Sequence, residues 1–209
     1  MHRLPRGGVR LWTEDRGAAD AHPLLLIMGA QASGLGWPDE LVDMLASRHR
    51  VIRYDHRDTG RSTWAFDQRP YPLGELAEDA LAVLDALDVQ RAHIVGMSMG
   101  GMLAQLLIAD HPDRLLSATL LGTSALSTIP YIQPDETRTP PEELPGIAPR
   151  LLEMWSRPVV DLGLEADPYH LAQAIQGARI VGIPGMGHAL PPEVHAPLAA
   201  AVLDHTTRR

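Results

Sequence analysis

Short apolar runs alternate along this chain with longer segments whose apolar positions recur at helical spacing. That is the pattern of strands joined by crossover helices over a mostly parallel sheet. The predicted strands are Val9–Thr13 at an edge, Pro23–Met28 ending at Gly29, Val51–Tyr54, Ala92–Met97, Leu116–Leu121, Val159–Leu164 and Ala178–Ile183, about seven in all. Between them the spacing predicts helices over Pro38–Ala46, Leu73–Leu87, Gly100–Asp110, Pro168–Gln176 and Glu193–His205. Pro38 suits a first helical position, where its missing N–H is no loss. The Leu73–Leu87 helix puts Leu76, Ala80, Val83, Leu84 and Leu87 on one face, with Glu75, Glu78, Asp79 and Asp85 expected on the other. The alternation breaks over residues 124–156, where six prolines (130, 134, 140, 141, 145 and 149) leave room for only short regular pieces, such as a helix over Ile147–Trp155. The expected fold class is α/β, with residues 1–209 forming one domain and 124–156 an excursion from it.

Composition narrows the function. A hydrophobic content of 45% over 209 residues suits one core. A net charge of −8 offers no footprint for a phosphate backbone, so nucleic-acid binding is not expected. No apolar run reaches the ~20 residues that cross a bilayer, and the first residues lack the apolar stretch of a signal peptide, so the expectation is a soluble, cytoplasmic protein. Cysteine is absent, which removes disulfides, thiol nucleophiles and zinc–thiolate sites. No HExxH or clustered His/Asp pattern suggests a metal, and no cofactor is expected.

One motif carries chemistry. Gly96-Met97-Ser98-Met99-Gly100 fits GxSxG at the end of a predicted strand and the start of a predicted helix. A serine in so sharp a turn needs glycine neighbours, and its Oγ then projects past the sheet edge beside a helix N-terminus. Such a hydroxyl needs a base. Of ten histidines, His188 is the best placed, in a loop after the last predicted strand. His93, His111, His195 and His205 fall within strand or helix segments and read as packing or surface residues. The base in turn needs a carboxylate. Asp167, after the strand Val159–Leu164, is preferred on position over Asp161, which interrupts that strand, and over Glu165. The oxyanion of acyl transfer needs two N–H donors, assigned to Met99 and, after Gly29, to Ala30.

With these residues placed, the chain resembles the α/β-hydrolase superfamily over nearly its whole length. The segments Gly36–Glu40, Asp55-His56-Arg57-Asp58-Thr59-Gly60-Arg61-Ser62 and Pro184-Gly185-Met186-Gly187-His188-Ala189-Leu190-Pro191 are similar to those of the aclacinomycin methylesterases. The resemblance implies hydrolysis of a methyl ester on an anthracycline-type ring system, and for Asp55–Ser62 a structural role as a tight turn held by polar side chains. It also implies a long helical lid before the acid-bearing strand, of which only the Pro-rich 124–156 stretch remains here. The 21 positions from Asp167 to His188 are fewer than the family pattern leads one to expect. A reduced lid predicts an open site lined by Met28, Gly29, Trp37, Met97, Met102 and Met186, although methionines also serve as core filler. The expected activity is a serine esterase acting on a small-molecule ester. Two alternatives use the same fold: a cofactor-free perhydrolase or haloperoxidase-like enzyme with the same triad, and a non-catalytic binding protein.

Overall fold

A computed structural model describes residues 2–3, 8–123, 177–184 and 186–207. A two-stranded antiparallel ribbon, β1 (His2–Arg3) with β2 (Arg10–Leu11), precedes the main sheet. The sheet contains β3 (Thr13–Arg16), β4 (Pro23–Ile27), β5 (Arg50–Tyr54), β6 (Ala92–Met97) and β7 (Leu115–Leu121) in the order β3-β5-β4-β6-β7. Only β3 runs antiparallel to its neighbour, and the other pairings are parallel. The connecting helices are α1 (Asp39–Ala46), α2 (Leu73–Ala86) and α3 (Met99–Asp110), and α4 (Pro192–Thr206) follows later in the chain.

Alternation along the strands explains why two layers of helix are needed. In β4, Leu25 and Ile27 join Ile52, Tyr54 and Ile94 in a cluster with Leu76, Ala80, Val83 and Leu84 of α2 and Leu103 and Leu107 of α3. Leu24 and Leu26 face the other way and pack with Val51 and Val95 against Leu41, Val42 and Leu45 of α1 and Leu198 and Val202 of α4. A strand apolar on both faces must be covered on both, so β4 is central. Each of these fully buried aliphatic side chains contributes about 1.5–3 kcal/mol from removal from water.

The topology also fixes where a site can form. From β4 the chain steps to β5 on one side, then crosses back to β6 on the other. The carboxyl ends of β4 and β6 therefore flank the point where strand order reverses, the crevice in which open α/β sheets bind ligands.

Three expectations from the sequence need correction. Residues 178–183 form no strand. β-Branched content gives a tendency to extend, but a strand exists only through its ladder, and no described strand pairs with this segment. Ile180 and Val181 are instead exposed, and Arg179 reaches Asp204 of α4 at 3.3 Å. Asp79 is not on the solvent face of α2 but buried, because Arg57 comes in from a distant loop to meet it with two hydrogen bonds of 2.6 Å. Pro38 precedes the first residue of α1 rather than opening it. The segments predicted over Ile147–Trp155, Val159–Leu164 and Pro168–Gln176 lie outside the described residues.

Candidate active site

Ser98 joins β6 to α3 with φ 55° and ψ −121°, a conformation that side-chain-bearing residues rarely adopt. Its surroundings force that shape. The Ser98 N–H donates to the Leu121 carbonyl of β7 at 2.9 Å. The Ser98 carbonyl accepts from the N–H groups of Gly101 (2.9 Å) and Met102 (3.2 Å) and from Thr123 Oγ1 (2.8 Å). A Cβ at Gly96 would collide with the Gly100 carbonyl, one at Gly100 with the carbonyls of Ile27 and Met28, and one at Gly101 with the Thr123 side chain. The turn closes only because these positions are bare.

The β4 end comes equally near. A Cβ on Gly29 would stand 3.2 Å from Ser98 Cβ and 3.7 Å from its Oγ, so the chain at Gly29 passes directly beside Ser98. The Gly29 carbonyl accepts from the Ala32 N–H at 3.4 Å. In a trans peptide the Ala30 N–H points opposite to that carbonyl. Met99, as the first residue of α3, has an N–H with no acceptor inside the helix. Gly29, just past β4, and Met99, at the start of α3, thus flank Ser98.

His188 is exposed, and its ring stands over Gly122, where a Cβ would lie 3.0 Å from Nδ1 and 3.4 Å from Cε1. Gly122 has φ 50° and follows Leu121, whose carbonyl holds the Ser98 N–H. Ser98 and His188 therefore contact adjacent residues at the end of β7. Asp167 lies outside the described residues.

Three further histidines make structural contacts. His93 Nδ1 pairs with Ser117 Oγ at 2.8 Å, and His111 Nε2 with Glu78 at 3.2 Å. His195 is buried, with Nδ1 3.1 Å from Glu40 Oε2 of α1 and Nε2 2.9 Å from the Leu190 carbonyl. His195 thereby ties the chain just after His188 to α1.

Of the residues expected to line a pocket, Gly29 lies against Ser98. Met28, Trp37 and Met97 are buried in the cluster on the α1 and α4 side, Met186 packs at its edge, and Met102 is half-buried on α3. Residues 55–62 form a tight turn. The Asp55 carboxylate accepts from Ser33 Oγ, from the Gly34 N–H (2.8 Å) and from the Arg61 N–H (2.7 Å), and Ser62 Oγ donates to the Asp55 carbonyl. Beside it Arg57 meets Asp79 and Glu75. Burial raises the Asp79 carboxyl above the ordinary range, an effect that Arg57 opposes.

Sequence reading did not single out Thr123 or Gly122, named His56 only as part of the 55–62 turn, and took His195 for a packing or surface residue. Gly122 left a trace, as a glycine directly after a strand. No group of three or more potential metal ligands exists among the described residues, and none of their helices is long and apolar enough to cross a membrane.

A mostly parallel sheet, a serine at a strained strand-to-helix turn and a neighbouring strand-end loop at the switch point together define an α/β hydrolase, and the chain belongs to the α/β-hydrolase fold family, whose model matches residues 22–164. Within that family it is 36% identical to the rhodomycin D methylesterase DauP of Streptomyces sp. (strain C5), with 97% of each chain covered. It is 35% identical to the rhodomycin D methylesterase DnrP of Streptomyces peucetius, with 95% of each covered. The DauP alignment runs over 288 positions against a chain of 209 residues, so it opens gaps opposite stretches of the relative that this chain lacks. A solved hydrolase from Pseudomonas aeruginosa superposes with TM-score 0.53 and 38% identity over 56% of this chain. The chain covers 43% of that structure's length.

Proposed function

We propose that this chain is a serine esterase that hydrolyses carboxylic esters of small molecules through an acyl-enzyme. The observation that carries the reading is the strained Ser98 turn with Gly29 packed against it at the switch point. Ser98 Oγ attacks the ester carbonyl, and His188 takes the hydroxyl proton and returns it to the departing alcohol. Asp167 orients the His188 ring. Charge developing on the carbonyl oxygen falls between the N–H groups of Ala30 and Met99, an arrangement that at ~10²–10³ in rate per donor supplies much of the catalysis. Water then enters by the same route, with His188 as its base, and releases the acid.

The similarity to rhodomycin D methylesterases makes methyl esters on polyketide-type ring systems the first substrates to try. Gly29, Met102 and Met186 line the pocket in this reading, while Met28, Trp37 and Met97 pack in the core behind it. The chain contains no cysteine and requires no oxidising compartment, and a cytoplasmic site of action goes with this reading. The test is turnover of p-nitrophenyl acetate and of an anthracycline methyl ester by purified wild type and by Ser98→Ala. The variant is expected to lose roughly 10⁴-fold or more in kcat, and a fluorophosphonate probe should label the wild type at Ser98. Equal rates in the two proteins would end the proposal.

A further inference from the structure

The segment from Met28 to Ala30 must hold an N–H in a fixed direction, yet its central residue is glycine, the residue with most backbone freedom. Contact with Ser98 blocks only one side of Gly29. The carbonyl of Gly29 is tethered by the Ala32 N–H, which restrains the far end of the segment. The near end is held from elsewhere, since the Met28 carbonyl lies 3.0 Å from Nε2 of His56, 28 residues along the chain.

His56 stands two residues beyond the end of β5, the strand beside β4, and is 2% exposed. A carbonyl only accepts, so Nε2 carries the proton and Nδ1 of a neutral ring is bare. That Nδ1 is buried with no partner among the described residues. Leaving a buried polar atom unsatisfied is destabilising, a penalty that a leucine or phenylalanine filling the same space would avoid. Burial also depresses the His56 pKa below the ordinary histidine range and keeps the ring neutral. The Tyr54 ring meets the imidazole edge to face, with centroids 5.0 Å apart, and helps fix its plane. The ring is thus rigid, uncharged and in a single tautomer, and its one donor is spent on the carbonyl two residues before Ala30.

We infer that His56 is a positioning residue for the oxyanion site: by holding the Met28 carbonyl it fixes the peptide plane entering Gly29 and so aims the Ala30 N–H at the oxygen on which charge develops. Peptide planarity transmits the restraint, because only the two dihedrals of Gly29 separate the held carbonyl from the Gly29-Ala30 peptide. This role rests on the esterase reading above.

The experiment compares wild type with His56→Leu, which fills the space without a donor, and His56→Gln, whose side-chain amide places an N–H near the position of Nε2. Turnover of p-nitrophenyl acetate is expressed per serine labelled by fluorophosphonate, so that misfolded protein is not counted. Because misplacing a catalytic group by about 1 Å costs up to ~10²-fold, His56→Leu should lower kcat about tenfold to a hundredfold. KM should stay within about twofold, and His56→Gln should recover most of the loss. Hydrogen exchange of the 28–32 amides should quicken in His56→Leu and not in His56→Gln. Wild-type kcat in His56→Leu, or equal losses in both variants, would overturn the inference while leaving the esterase proposal standing. Should wild type hydrolyse no ester, that proposal fails by itself, and unchanged amide exchange in His56→Leu would then also refute the positioning role.

Discussion

Around Ser98 the chain is held by backbone against backbone. Gly96 and Gly100 let α3, β4 and β6 approach so closely that no side chain fits between them, and hydrogen bonds to the Leu121 carbonyl and from the Thr123 hydroxyl close the turn. Around His188 there is no such vice. That residue sits in irregular chain, its ring rests on Gly122, and the segment behind it is fastened by one buried imidazole, His195, bridging the Leu190 carbonyl and Glu40. Ser98 therefore inherits its position from the sheet, whereas His188 receives its position from side chains. Variants on the Ser98 side should damage folding and activity together, and variants on the His188 side should separate them.

The largest effect is expected for Gly100→Ala. Its new Cβ would strike the carbonyls of Ile27 and Met28, backbone atoms of the central strand that cannot step aside. Stability to urea should fall by about 3 kcal/mol, at the upper end of overpacking costs, and residual folded protein should be inactive; a loss under about 1 kcal/mol would show that the turn has slack. His195→Ala comes next. It leaves the Leu190 carbonyl without its imidazole, at about 2 kcal/mol, and should lower kcat while fluorophosphonate still labels Ser98, which stopped-flow and gel readouts would separate. Gly122→Ala sharpens the contrast further. With φ 50° the added methyl should cost about 1–2 kcal/mol, yet it crowds Nδ1 of His188, so turnover should fall far more than the thermal midpoint suggests.

The smallest effect is a pH dependence of stability. Burial holds both His49 and His56 below the usual histidine value of 6.5. Above that pH both rings are neutral in folded and unfolded chains alike, and neither contributes. Below it the unfolded chain takes up protons that the folded one resists, so stability is lost as pH falls from 6.5 toward the depressed folded values. Each ring supplies a slope of at most about 1.4 kcal/mol per pH unit. His49→Gln and His56→Gln should each flatten the urea-midpoint profile between pH 6.5 and the acid limb, and a profile unchanged by both would place the acid sensitivity elsewhere.

What could be read from the sequence divides along the same line. Gly96, Ser98 and Gly100 announce themselves because a strand-to-helix turn is local and its steric demands fall on residues within a few positions. The apolar runs of β4, β5 and β6 are legible for a similar reason, since a strand buried on both faces has no polar alternation to confuse it. Asp79 was misread because its partner Arg57 lies 22 positions away, and nothing in the periodicity of α2 reports a cation arriving from another element. The bonds from His56 to Met28 and from His195 to Leu190 escape for that reason too: a backbone carbonyl leaves no mark on composition. The segment 178–183 shows the converse error, in which local β-preference was present but the neighbouring edge that would have made it a strand was not found among the described residues.

The backbone angles of Ser98 bear on how such a turn persists. A glycine there would take the same bend at little steric cost. The serine instead stores strain in its backbone, and the close packing of α3 against β4 holds it in that shape.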